Sequence, residues 1–297
     1  MTSSQRKLLN TAQSKYEFRT CPTNGSRSPC PALNSLANHG FISRDGKNLA
    51  FMELVHAMVL VYNLTYPLAF LLAIVGFVTC GHISLSRPPR TTTPKMEPSG
   101  FLRRSLSVVL RPINTPFFFY PRLVLDLSSL SSRGKLKITH DAAFVHPDSI
   151  PSVTPDVILL EDLLQYASQR RHESFGDSEG GLSYIDIAKF HARRVKNAPR
   201  PLSSIHQQIS LGECALTWEA LRGYQCHSGS DAHDRRTYSL KGGLDGVIPV
   251  SRLRQWFGEE RLPDGWWDDE GVRPHAPIGI IEARLLADLM GKIASEN

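Results

Sequence analysis

The chain has 297 residues, 41% of them hydrophobic and 21% charged, enough apolar material for one sizeable core and too much for a disordered chain. Its formal charge of +6 is spread along the sequence, with only short knots such as Arg170-Arg171 and Arg193-Arg194, so no nucleic-acid-binding face is expected. Five cysteines, an odd number at low density without a CxxC pair, exclude a disulfide framework and argue against structural zinc.

Residues 1–20 read as a polar leader, and residues 21–297 as one domain. The leader has no apolar core of the kind a secretory signal carries, so an intracellular location is expected. A short helix is predicted after Cys30, with Pro31 at its first position and Gly40 just past its end. Asn48 to Asn63 carries Leu49, Met52, Val55, Val59 and Tyr62 at helical spacing. Thr65 can cap a second apolar helix that stops near Gly81.

Ala57 to Gly81 is uncharged and long enough to cross a bilayer. Asn63, Thr65 and Pro67 interrupt it midway, which favours a buried helical hairpin over a membrane-anchoring span. Both readings stay open at this level.

The proline-rich stretch 84–121 reads as an insertion loop, and Lys135 to Ile138 as a short strand. Helices are then predicted from Thr154 or Asp156, from Ser183 with Asp186 in a capping-box pattern, and over Ile205 to Leu221. A polar loop runs from about Cys226 to Gly246. Two more helices follow, Pro249 to about Glu260 and Ile278 to Ile293. The pattern is an all-α, multi-helix domain with loop insertions.

Two segments carry candidate chemistry. At the N-cap of its short helix, Cys30 would face the free amides of Ala32 and Leu33 and the positive end of the helix dipole, a setting that lowers a thiol's pKa and favours thiolate. An inert buried cysteine is the alternative. Glu213 shares a helix face with Ile209, Leu216 and Ala220, so it is expected to be buried, with a raised pKa suited to taking and returning a proton. A carboxylate paired with an arginine, or one facing solvent, is the plainer alternative.

The run Pro29-Cys30-Pro31-Ala32-Leu33-Asn34, continued by Leu36-Ala37-Asn38-His39-Gly40-Phe41, resembles the signature of the fungal haem-thiolate peroxidase family of chloroperoxidases and unspecific peroxygenases. The resemblance implies haem b, held through Cys30 as axial iron ligand in a pocket at the centre of the helices. It further implies hydrogen peroxide and a small organic substrate, and a distal acid–base role for Glu213. Thr139-His140-Asp141-Ala142-Ala143 resembles the family's Glu-His-Asp-x-Ser segment, which implies that His140 orients Glu213. Thr139 and Ala143 replace the two residues that help bind magnesium or manganese there, so that ion is not carried over. These departures leave a haem-binding protein without turnover as the alternative.

Overall fold

The computed structural model describes residues 16–85, 121–148, 150, 152–170, 180–222, 246–268, 271–274 and 276–296. Helix α1 (Pro31–Asn38) starts at Cys30, whose backbone is extended, and has Pro31 in its first turn. It ends in a Schellman motif: Phe41 N–H donates to the Leu36 carbonyl at 2.8 Å and Gly40 N–H to that of Ala37 at 3.0 Å. Gly40 makes this possible at φ +74°, the left-handed region. Leu36 and Ala37 are fully buried and tie the helix to the core. Truncating such a leucine typically costs ~2–5 kcal/mol, so the last turn of α1 is held firmly.

Helix α2 (Phe51–Tyr62) ends at Asn63, which is left-handed at φ 54°. Thr65 then caps α3 (Tyr66–Cys80), with Pro67 in the first turn. The two helices pack against each other, and Leu54, Val55, Met58, Leu68, Ala69 and Ala73 on them are buried. The uncharged stretch 57–81 is therefore a hairpin and not a span. The 15 residues of α3 rise about 22 Å, and among the described residues no helix is long and apolar enough to cross a membrane.

Strand β1 (His82–Ser84) pairs antiparallel with β2 (Arg122–Val124), so the chain leaves and re-enters the core side by side at the ends of the expected insertion loop. Most of that loop, like the predicted polar loop after Cys226, lies outside the described residues. The strand expected at Lys135 to Ile138 does not form. Lys137 N–H closes a turn on the Gly134 carbonyl at 3.1 Å, and Leu136 is exposed.

Helix α4 (Val157–Ser168) is capped by Asp156, whose Oδ1 accepts from Ile158 N at 2.9 Å and Leu159 N at 3.0 Å. Helix α5 (Tyr184–Lys196) opens with the reciprocal Ser183–Asp186 capping box. Helix α6 (Ser204–Leu221) carries fully buried Trp218 into the core. A two-residue ladder joins β3 (Gly181–Leu182) to β4 (Ile248–Pro249). Helix α7 (Val250–Leu253) widens at once into a π-helical turn, Arg254–Gly258, so the helix predicted over 249–260 is regular only in its first turn. Helix α8 (Ile280–Ser295) packs along both α5 and α6. The fold is all-α, with short antiparallel ladders only, among the described residues.

Candidate active site

One cavity of about 290 Å³ is lined by the start of α1, by α2, α3 and α6, by the π-turn and by the loop 138–147. That is just below the ~300–1,000 Å³ common for small-molecule sites. Cys30, His140 and Glu213, brought together from three distant segments, all line it, as do Ala32 and Leu33.

On one side the N-cap geometry aims the amides of Leu33 and Ala32 at the Cys30 sulfur. Burial nevertheless pushes the Cys30 thiol up to about 11, against those amides and helped by the charges of Glu213 and Glu260. The sequence expectation of a lowered pKa is thus reversed. Two partial positive charges do not repay desolvation in an apolar cavity.

The loop before α1 is fixed by Asn34. Its Nδ2 donates to the Ser28 carbonyl at 2.7 Å and to Glu260 Oε1 at 2.6 Å, and its Oδ1 accepts from Ser28 N at 2.8 Å. Tyr62 Oη donates to the Ala32 carbonyl at 2.6 Å and lies 2.7 Å from Ser35 Oγ. Burial keeps this phenol far from ionising.

Elsewhere on the wall, His140 Nε2 stands 3.2 Å from Glu213 Oε2, and its Nδ1 is 2.6 Å from the Asp141 carbonyl. A carbonyl only accepts, so Nδ1 carries a hydrogen and the Nε2–Oε2 contact must hold a further proton. Burial alone would lower the His140 pKa, but the Glu213 carboxylate beside it and the Asp141 carbonyl raise it overall.

Glu213 itself is not buried as its helix face suggested, because that face borders the cavity and not packed side chains. Its side chain is 55% exposed. The neighbouring Cys214 does reach the core. Two further histidines line the cavity: His191, with Nε2 3.4 Å from Ser210 Oγ, and His146. Burial lowers each to about 4, so both are neutral.

A set of ion pairs that sequence reading did not anticipate clamps the histidine loop. Asp141 pairs with Arg133 and with Arg200, the latter at 3.0 Å. Asp148 accepts from the Ala142 amide at 2.7 Å and from Arg194 at 3.0 Å, holding Ala142 in the left-handed region at φ 67°. Arg194 Nε also donates to the Ala143 carbonyl at 2.8 Å, and Thr139 Oγ1 donates to the Leu130 carbonyl. Neither Thr139 nor Ala143 supplies a carboxylate, the hard ligand that such ions favour. Among the described residues no group of three or more His, Cys, Asp or Glu is placed to hold a metal ion.

Residues 16–270 match the family described as peroxidase, family 2. The dothistromin biosynthesis peroxidase dotB of Dothistroma septosporum is 36% identical over 283 residues, covering 90% of this chain and 56% of that protein. The aromatic peroxidase fscJ of Fusarium equiseti is 31% identical over 145 residues, 46% of this chain and 31% of that one. The chloroperoxidase of Leptoxyphium fumago is 38% identical over 59 residues, 20% of this chain and 16% of that one. The chain thus spans about half the length of the dothistromin peroxidase it matches. With the family match running over most of its length and an all-α fold, the chain belongs to the family 2 peroxidases, the chloroperoxidase family.

Proposed function

We propose that this chain is a haem-thiolate peroxidase or peroxygenase. In this reading it binds haem b through Cys30 and uses hydrogen peroxide to oxidise, oxygenate or halogenate a small organic substrate. The observation that carries the reading is the shared cavity: a thiol with two backbone amides aimed at its sulfur, and a hydrogen-bonded Glu–His pair on the same wall system.

The residues fit the group. A thiol buried to a pKa of about 11 is a poor anion by itself, and a metal cation at the sulfur is what would make it a thiolate at neutral pH. The amides of Ala32 and Leu33 would then hydrogen-bond that sulfur and tune the electron density it donates. Apolar walls from Leu33, Met58 and Phe257 suit a flat hydrophobic cofactor. When bound, the haem iron supplies the redox chemistry that breaks the peroxide O–O bond.

The protein's own part is proton handling. Glu213 Oε takes a proton from a peroxide oxygen and returns it to the departing one. His140 stays hydrogen-bonded to it and bears the change of charge, its ring fixed by the Asp141 carbonyl. The relative's name assigns dothistromin biosynthesis to that protein. For this chain the corresponding proposal is a role in secondary metabolism.

The test is peroxide-dependent oxidation of a dye by the haem-reconstituted protein and by Glu213→Gln. General acid–base catalysis of this kind is worth ~10²–10⁴-fold, and a loss in that range is expected. Haem uptake with equal, negligible rates in both proteins would instead identify a binding protein without turnover.

A further inference from the structure

Arg133 lies on the cavity wall beside Thr139 and His140, and a parallel backbone bridge to Thr139 sets its position. Its Nη1 donates to Asp141 Oδ1, and its Nη2 to the Pro147 carbonyl at 2.7 Å. Its Nε is buried and has no hydrogen-bond partner among the described residues. A guanidinium has five N–H donors and no acceptor, so donor capacity is left over on this wall.

The local charge is unbalanced in the same direction. Asp141 is shared between Arg133 and Arg200, while Asp148 is taken by Arg194. Three guanidinium groups meet two carboxylates, leaving one positive charge. The Arg133 side chain is only 19% exposed, so water screens it incompletely. A half-satisfied cation with little access to water is stabilised by an anion, and a planar carboxylate matches a guanidinium edge best.

We propose that Arg133 is a carboxylate-binding residue of this cavity, using guanidinium N–H groups that Asp141 and Pro147 leave free. A haem propionate and the acid group of an aromatic substrate are the two sources of that carboxylate. The propionate source rests on the haem reading above. There the fixed guanidinium takes the place of a divalent cation, which Thr139 and Ala143 no longer support.

The experiment has two arms. In the first, haem-free protein is titrated with haem b and with its dimethyl ester, in which both propionates are blocked, following Soret absorbance. In the second, benzoate and benzyl alcohol are titrated calorimetrically into haem-free protein. Both use wild type, Arg133→Gln and the charge-conserving Arg133→Lys, with thermal melts confirming that each variant folds.

A charge-assisted hydrogen bond in such a site is worth about 10- to 100-fold in affinity. If a propionate is the ligand, wild type prefers haem b to the ester by that factor, Gln abolishes the preference and Lys restores part of it. If a substrate acid is the ligand, the two porphyrins bind alike but benzoate binds and benzyl alcohol does not, again only with Arg or Lys present.

Absence of both preferences in wild type overturns the proposal, as does their persistence in Arg133→Gln. Failure of both porphyrins to bind would count against the haem reading alone, and the benzoate arm would still decide the role of Arg133.

Discussion

Asn34 sits one helical turn after Cys30, and all the hydrogen-bonding capacity of its side chain is engaged in holding the loop that delivers the sulfur. It accepts from the Ser28 amide and hydroxyl, and donates to the Ser28 carbonyl and to Glu260. The position of the thiol therefore depends on a residue that does not touch the cavity's chemistry.

Asn34→Ala is expected to leave the Ser28 amide and the Glu260 carboxylate without these partners. The cost is about 2–4 kcal/mol of stability, since each buried group left unpaired typically costs ~1–3 kcal/mol. Urea unfolding of the haem-free protein checks this. An unchanged midpoint would show that the loop is held by other contacts.

His140 and Glu213 should behave as one unit. His140→Gln is expected to reduce peroxide-dependent turnover by roughly 10–100-fold, less than Glu213→Gln, while the bound haem keeps its spectrum. The double variant should be no slower than Glu213→Gln, because groups acting together are not additive. Multiplicative losses in steady-state assays would show that the two act independently.

The histidines make stability fall on both sides of neutrality. His146 and His191 have folded-state values near 4, depressed from 6.5 by burial. The unfolded chain therefore binds their protons first, and their contribution, present above 6.5, is lost as pH falls towards 4. His140 has the opposite sign. Its folded value is raised, so its contribution is complete below 6.5 and lost as pH rises through that raised value. Denaturation midpoints against pH should lose part of their acid sensitivity in His191→Gln, His146 supplying the rest, and part of their alkaline sensitivity in His140→Gln. Parallel profiles in all three proteins would contradict this.

In the haem-free protein, Cys30 should resist alkylation at neutral pH. Its folded value is about 11 against 9.0 for an ordinary thiol. Iodoacetamide labelling, read by peptide mapping, should rise towards pH 11, well after exposed Cys21 has reacted. The same shift removes stability between 9 and 11 as the unfolded thiol ionises first. Labelling of Cys30 at neutral pH as fast as Cys21 would contradict the burial argument.

Much of the frame was readable from local chemistry. Pro31 and Gly40 mark the two ends of α1, Asn63 and Thr65 break the apolar stretch into a hairpin, and Ser183 with Asp186 opens α5. These signals act within a few residues. The exposure of Glu213 was not readable, because helical periodicity reports an inward face without telling a cavity from a packed core. The reversal at Cys30 has the same origin: the amides are local, whereas the desolvation comes from distant segments. The Arg194–Asp148 and Arg200–Asp141 pairs and the Glu260–Asn34 bond join positions far apart in the chain. The ladders of two or three residues are too short to alternate.

Ligation of haem iron by the Cys30 thiolate is tested most directly by the absorption spectrum of the reduced, carbon monoxide-bound, haem-reconstituted protein beside that of Cys30→Ala. Thiolate ligation gives a strongly red-shifted Soret band in the wild type, lost in the variant. A wild-type band at the shorter wavelength of a histidine-ligated haem, or one unchanged by Cys30→Ala, would contradict it.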